Sequence, residues 1–243
     1  MKATLKVLIM VLLIANTLIA KNNSTYDSII QAIKDNRLKT VKTLAVNCVE
    51  INKTNRFGET LLHIAAREGR QDIVAFLVKQ NIDVNIKNKS NASALHEACT
   101  KGNYISAATL IKHGANVNEH DDYGNTPIHN GALRGNLKTV KLLAENGADL
   151  NSKNDMGETP LHQASWGGYT KILSCLLKNG IDASAQNSRG ETPLHIVTQR
   201  NKNKAVKLLL KNNADKTVTN NLGETPLDIA KKRKLKKIIS LLK

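Results

Sequence analysis

Aromatic residues are scarce in this chain of 243 residues, where one Trp, four Tyr and two Phe make up 3% of the total. Since so few rings cannot fill the interior, we expect a core of Leu, Ile, Val and Ala. Cysteine is also rare, and three residues are an odd number that does not form a disulfide framework. Cys99 and Cys175 fall in helical positions and are interpreted as small buried hydrophobic residues, whereas Cys48 falls in a turn and is a candidate free thiol.

Acidic residues are outnumbered, because 20 Asp and Glu stand against 36 Lys and Arg and leave a formal net charge of +16. One basic cluster lies near the C-terminus, at residues 231–237. Such a surface favours an anionic partner, which is a nucleic acid, an acidic lipid or an acidic protein. The alternative is a lysine-rich solvated surface that serves solubility and has no partner of its own.

The motifs of common enzymes are missing from the sequence. The chain contains no Gly-x-Ser-x-Gly segment, no phosphate-binding glycine loop and no His-Glu-x-x-His segment. Its carboxylates are scattered singly, and its recurring histidines stand 33 residues apart, too far for two of them to bind one metal ion at about 2 Å. We therefore predict a protein without catalytic residues, metal site or cofactor.

A long hydrophobic run occurs only at the N-terminus. Lys2 and Lys6 flank the start of an apolar run at residues 7–14, and small residues up to Ala20 suit a cleavage site. This order predicts a signal peptide over residues 1–20 and an exported protein, either secreted or held in the cell envelope, which is the periplasm in a bacterium. An uncleaved segment at 5–20 is slightly shorter than the about 20 residues of a full membrane span, but it can tether the chain to a membrane.

The chain is dominated by a repeat. One six-residue pattern occurs six times, and each copy follows the last by 33 residues. The copies are Gly58-Glu-Thr-Leu-Leu-His63, Asn91-Ala-Ser-Ala-Leu-His96, Gly124-Asn-Thr-Pro-Ile-His129, Gly157-Glu-Thr-Pro-Leu-His162, Gly190-Glu-Thr-Pro-Leu-His195 and Gly223-Glu-Thr-Pro-Leu-Asp228. A fixed period of this length predicts a stacked array, in which each unit packs only on its neighbours.

Each copy carries the signals of a pair of helices. The Thr predicts a helix N-cap, and the Pro that follows it in four copies stands at the first helical residue, where helices tolerate proline. In the first copy a second helix is expected from Gln71 to Lys79, with Leu77 on its buried side. A leucine recurs at multiples of 33 residues from Leu77, at Leu44, Leu110, Leu143, Leu176, Leu209 and Leu242.

The pattern and its period resemble the ankyrin repeat, and the resemblance covers nearly all of the chain after residue 24. It implies an all-α fold, a solenoid of helix-turn-helix units with β-hairpin-like tips. It also implies that the motif histidine hydrogen-bonds the backbone of adjacent hairpins. The predicted units are an N-terminal capping repeat at 24–56, repeats at 57–89, 90–122, 123–155, 156–188 and 189–221, and a C-terminal capping repeat at 222–243.

Ankyrin-like stacks usually bind partners on a concave face, formed by the tips and the exposed sides of the first helices. Carried over to this chain, these positions place Tyr123, Leu133, Met156 and Trp166 close together, with Arg134 beside them. Aromatic and arginine side chains are enriched among residues that dominate binding energy. The predicted partner-binding residues are Tyr123, Leu133, Arg134, Met156, Trp166, Phe57 and Arg200. The alternative for apolar tip residues is that they only pack against the neighbouring hairpin.

The sequence thus predicts a non-enzymatic protein-protein interaction module that binds a protein partner through its concave face and has no small-molecule substrate. The alternative is a binder of anionic surfaces, nucleic acid or acidic lipid, through its lysine-rich faces. Little aromatic interleaving among the basic residues, together with the export signal, argues against nucleic acid. The two hypotheses differ in their response to salt, because phosphate binding weakens steeply as salt rises.

Overall fold

The computed structural model describes residues 25–46, 51–80 and 82–243, which form a succession of short helices. Helix α1 covers residues 25–34 and pairs with α2, and twelve further helices follow in pairs. Their bounds are α2 Leu38–Val46, α3 Leu61–Arg67, α4 Gln71–Leu77, α5 Ala94–Lys101, α6 Tyr104–Lys112, α7 Pro127–Arg134, α8 Leu137–Glu145, α9 Pro160–Gly167, α10 Thr170–Lys178, α11 Pro193–Gln199, α12 Asn203–Lys211, α13 Pro226–Lys232 and α14 Lys236–Leu242. The predicted signal peptide and Cys48 lie outside the described residues. Within those residues, every helix is too short or too polar to be a membrane span.

The first helix of each unit after α1 begins at a Thr or Ser that caps it. Thr60 stands before α3, and its hydroxyl oxygen accepts a hydrogen bond from the backbone N–H of His63 at 3.4 Å. The ring of His63 completes the cap, because its Nδ1 accepts from the backbone N–H of Thr60 at 3.2 Å. The same reciprocal capping box starts α5, α7, α9, α11 and α13, and proline holds the first turn of the last four.

The recurring leucine of the second helices is buried in the core in six of the seven units. The buried members of the series are Leu77, Leu110, Leu143, Leu176, Leu209 and Leu242. Leu44, on α2 of the first unit, is only half-buried. Helix α4 ends at Leu77, two residues before the predicted end. The N–H groups of Lys79 and Gln80 donate to carbonyls three residues back, at 3.1 and 2.9 Å, and so tighten this last turn.

The tips are joined from unit to unit by backbone hydrogen bonds. The N–H of Lys89 donates to the carbonyl of Phe57 at 2.9 Å, and the N–H of Asp155 donates to that of Tyr123 at 3.1 Å. Over the described ranges, extended pairing is limited to an isolated antiparallel bridge between Lys87 and Ser93. The fold is therefore all-α with hairpin-like tips, as predicted.

One continuous apolar core runs through the stack from Tyr26 to Leu242. Cys99 is part of it, as predicted, and burial raises the pKa of its thiol. The prediction that Cys175 is buried was wrong, because its side chain is only half-buried. Cys175 lies on α10 in an open groove bordered by α8 and α12, which leave one side of the residue to solvent.

Candidate protein-interaction site

Five of the predicted site residues line one open groove of about 380 Å³ on the concave face. Tyr123 and Met156 come from neighbouring tips, and Leu133 and Trp166 come from the ends of α7 and α9. Arg200, which follows α11, lines the same groove. Tyr123 is 67% exposed, Met156 52% and Leu133 39%, so the groove presents large apolar side chains to solvent.

Trp166 is anchored from below by a buried carboxylate. Its indole N–H donates to Glu158 Oε1 at 3.2 Å, and Gln163 Nε2 donates to the other oxygen at 2.7 Å. Glu158 is 2% exposed, and burial raises the pKa of its carboxyl against the opposing effects of the Trp166 hydrogen bond and the Arg189 charge. The half-buried Trp166 ring is thus held in place before any partner arrives.

Two guanidinium groups lie against the Trp166 ring. The Arg200 guanidinium carbon is 4.5 Å from the ring centre, and that of Arg189 is 5.8 Å away. Arg189 also donates through Nε to Glu191 Oε2 at 2.7 Å. Both distances are within the range of cation–π attraction, which holds each arginine at the groove.

Several groove residues were missed by the sequence prediction. They are Asn125, Asn154, Glu158, Gln163 and Arg189. The Glu158–Trp166 contact belongs to a series in which a tip Glu contacts the side chain eight residues later. Its members are Glu59 with Arg67, Glu158 with Trp166, Glu191 with Gln199 and Glu224 with Lys232. The recurring Glu of the Gly-Glu-Thr pattern was the available signal.

The series is interrupted in the middle of the stack. Ala92 and Thr100 hold its two places in one unit, and Asn125 and Leu133 hold them in the next. Asn125 instead accepts a hydrogen bond from Asn154 Nδ2 at 2.9 Å. These two places therefore hold no carboxylate and no charged partner, and the exposed Leu133 adds an apolar side chain there.

Two predicted site residues lie outside the groove. Arg134 is exposed but does not line it, although Arg200, at the equivalent position two units later, does. Phe57 borders a separate groove near α1, with the Arg56 guanidinium carbon 4.7 Å from its ring centre. Arg134 and Phe57 therefore do not share the groove that the other five predicted residues line.

Each motif histidine bonds its own unit to the next one. The Nε2 of His129 lies 3.0 Å from the carbonyl oxygen of Glu158, and that of His162 lies 3.1 Å from the carbonyl oxygen of Glu191. Since Nδ1 accepts a backbone N–H, the proton of the neutral ring is on Nε2, which donates to the carbonyl. The same contact is made by His63, His96 and His195. The backbone hydrogen bond that the resemblance implied is confirmed.

Burial keeps these rings neutral. It lowers the pKa of every motif histidine, to about 4 for His129 and His162, although the bonds to backbone carbonyls oppose the effect. Elsewhere in the described parts of the chain, no three His, Cys, Asp or Glu side chains are grouped as metal ligands would be. Each motif histidine is thus a neutral, buried hydrogen-bonding group between two units.

Comparisons with known proteins agree with this architecture. The family model described as ankyrin repeats (3 copies) matches residues 29–121, 106–187 and 161–243. The chain is also similar to the crystal structure of the ankyrin repeat domain of Bcl-3, a unique member of the IkappaB protein family. The TM-score is 0.75 and the identity 24%, over 88% of this chain and 97% of that one, which shows a shared fold. A search of curated proteins finds no match. The chain belongs to the ankyrin repeat family, whose members generally bind proteins and are generally not enzymes.

Proposed function

We propose that this protein is an exported, non-enzymatic interaction module that binds a partner protein through the groove lined by Tyr123, Leu133, Met156, Trp166 and Arg200. The observation that carries the proposal is the contiguous apolar surface that these side chains expose on the concave face. When a partner buries such a surface, the complex is stabilised by about 25 cal/mol per Å² of apolar area removed from water. Soluble proteins seldom keep exposed apolar patches that have no binding role.

The groove is also organised for binding without rearrangement. Trp166 is held by Glu158 and by two arginines, and the backbone of both tips is hydrogen-bonded to its neighbours. A preformed surface avoids the entropy cost of ordering side chains on binding, about 0.5–1.5 kcal/mol for each one. Binding would be stoichiometric, with no turnover.

The export part of the proposal rests on the predicted signal peptide at 1–20. N-terminal sequencing of the protein recovered from the envelope and from the medium tests it. We expect a mature chain that begins shortly after residue 20. A chain that retains Met1 and fractionates with membranes would support the tether at residues 5–20, and a chain that stays inside the cell would contradict export.

The binding part is tested by capturing partners on the immobilised protein at low and high salt. Tyr123→Ala/Met156→Ala is the informative variant, because both side chains are exposed and neither holds a buried group. Trp166→Ala is less suitable, since it also removes a hydrogen bond from buried Glu158. We expect one discrete protein that stays bound at high salt. The double variant should bind it with an affinity lower by about tenfold or more, so that its capture is lost. Capture that is indifferent to the variant would contradict the proposed groove.

A second candidate function has one specific observation in its favour. The outer helices carry exposed lysines at Lys138, Lys171, Lys204 and Lys237, each 33 residues after the last. Lys171 and Lys204 border an outer groove with Lys141 and Lys178, and no described carboxylate lies within ion-pair distance of any of these lysines. This row supports binding of an anionic surface. It predicts heterogeneous capture that disappears at high salt and survives Tyr123→Ala/Met156→Ala.

A further inference from the structure

Two carboxylates beneath the Trp166 and Arg189 side chains are engaged by the protein itself. Glu158 accepts hydrogen bonds from Gln163 and Trp166 and is 2% exposed. Glu191 accepts one from Arg189 and is 6% exposed. The one carboxylate that lines the groove, Glu158, therefore lies beneath the surface and is not presented to a partner.

Positive charge at the same place is exposed. The Arg189 side chain is 54% exposed even with its contact to Glu191. The Arg200 side chain rests over the Trp166 ring, and among the described residues no carboxylate lies within ion-pair distance of it. A guanidinium group that contacts a ring through its face keeps its in-plane N–H donors available for a carboxylate.

The groove thus combines two kinds of surface within one small space. Tyr123, Leu133 and Met156 form an exposed apolar part, and Arg200 with Arg189 forms a cationic part. The volume of about 380 Å³ is near the lower end of ligand pockets, which hold about 300–1,000 Å³, so it accommodates a few side chains.

We propose that the groove binds a short segment of a partner protein in which a large apolar side chain stands next to a carboxylate. The inference rests on the proposed function and specifies the partner's chemistry. The apolar side chain covers Tyr123, Leu133 and Met156. The carboxylate, from Asp, Glu or a chain terminus, pairs with Arg200, whose planar fork suits two parallel hydrogen bonds.

The charge of the whole chain agrees with this choice of partner. A formal net charge of +16 attracts acidic segments and repels basic ones during the approach, which raises association rates for the former. A polyphosphate backbone shares the negative charge, but it has no large apolar side chain to cover the exposed Leu133 and Met156. The mixed surface therefore favours an acidic, apolar peptide over a nucleic acid.

The test uses purified full-length protein and a random dodecapeptide library displayed on phage. We expect selected peptides to share a Leu, Met, Phe or Trp within two or three residues of an Asp or Glu. A synthetic consensus peptide is then titrated by fluorescence anisotropy against Arg200→Gln, which should weaken binding about tenfold or more. Arg200→Lys keeps the positive charge but lacks the planar guanidinium group, and it should weaken binding less than Arg200→Gln does. The control is Lys207→Gln, which removes one exposed positive charge from α12, the second helix of the same unit. It should leave the affinity unchanged.

Replacing the acidic residue of the peptide with its amide completes a double-mutant cycle. We expect the amide peptide to bind Arg200→Gln as well as it binds the unmodified protein. Selected peptides without acidic residues that still require Tyr123 and Met156 would overturn this inference and leave the proposed function intact. Binding indifferent to Tyr123→Ala/Met156→Ala and to Arg200→Gln would overturn both. Single-stranded DNA that binds more tightly than the peptide and displaces it would overturn the inference in favour of a nucleic acid.

Discussion

At the scale of single residues, positions with a positive φ decide where glycine and asparagine stand in this chain. Helix ends and tips need a left-handed backbone conformation, and Gly supplies it at most of these places. Where Gly is missing, Asn36, Asn91, Asn201 and Asn213 adopt it, which their short polar side chains tolerate. Lys234 is the exception, with a φ of 57° at the end of the first helix of the last unit.

We therefore predict that Lys234→Gly stabilises the protein, by about 1 kcal/mol, because a lysine in this conformation is strained and a glycine is not. The melting temperature, followed by circular dichroism, should rise by about 2–4 °C. The matched control is Lys237→Gly, within α14, which should cost about 1 kcal/mol. A melting temperature that falls with Lys234→Gly would show that the lysine is not strained.

At the scale of helices and tips, the contact between a tip Glu and the side chain eight residues later connects the two parts of a unit. Near the two ends of the concave face this contact is an ion pair, between Glu59 and Arg67 and between Glu224 and Lys232. In the middle the pairs are absent, and the apolar groove begins there. The apolar surface begins at a local gap in the repeated contact between a tip Glu and the side chain eight residues later.

Installing the missing pair tests this interpretation. Asn125→Glu/Leu133→Arg should leave stability within about 1 kcal/mol, since exposed ion pairs contribute little, but it should weaken partner binding about tenfold or more. The matched control is Ala92→Glu/Thr100→Arg, which installs the same pair one unit earlier, outside the groove lining. Denaturant unfolding and the capture assay measure the two effects. Equal binding losses in both variants would contradict the assignment of the groove.

At the scale of the whole molecule, a series of histidine hydrogen bonds crosses five of the six interfaces between units, all but the one next to the N-terminal capping repeat. His63, His96, His129, His162 and His195 each donate to a carbonyl of the following unit. Asp228 takes the histidine position in the last unit and accepts from the N–H and hydroxyl of Thr225, at 3.1 and 2.6 Å. It keeps the cap that the histidine ring completes in the other units.

These buried histidines predict that the protein loses stability in mild acid. A histidine pKa of about 4 in the folded protein, against about 6.5 when unfolded, means that the unfolded chain binds more protons between these values. The free energy of unfolding should therefore fall as pH drops through 6.5. At about pH 5.5 the loss is about 1 kcal/mol each for His129 and His162, and the other three add to it in the same direction.

Urea unfolding at several pH values between about 5.5 and 7.5 measures this dependence, in a range where most carboxylates stay ionised. His113→Ala/His120→Ala is the control, because both rings are exposed, and it should keep the same slope. Stability that is constant or rises toward pH 5.5 would contradict neutral, buried motif histidines.

Much of the fold was predictable because its determinants are local and recur. Thr before Pro caps a helix, and a leucine at a fixed interval is buried, whatever the rest of the stack contains. The neighbours Tyr123, Leu133, Met156 and Trp166 were also predictable, since residues at equivalent positions of adjacent units lie side by side. The family resemblance and the 33-residue period were sufficient for both.

The tertiary structure decided what depends on direction and on distant neighbours. It places Arg134 outside the groove although Arg200, at the equivalent position two units later, lines it, and it brings Arg189 into the same groove. It turns Glu158 under Trp166, where burial and hydrogen bonding decide that its charge is not offered to a partner. Local sequence sets the register of a repeat, whereas a binding surface arises from several units at once, and only their packing brings its charges and apolar groups together.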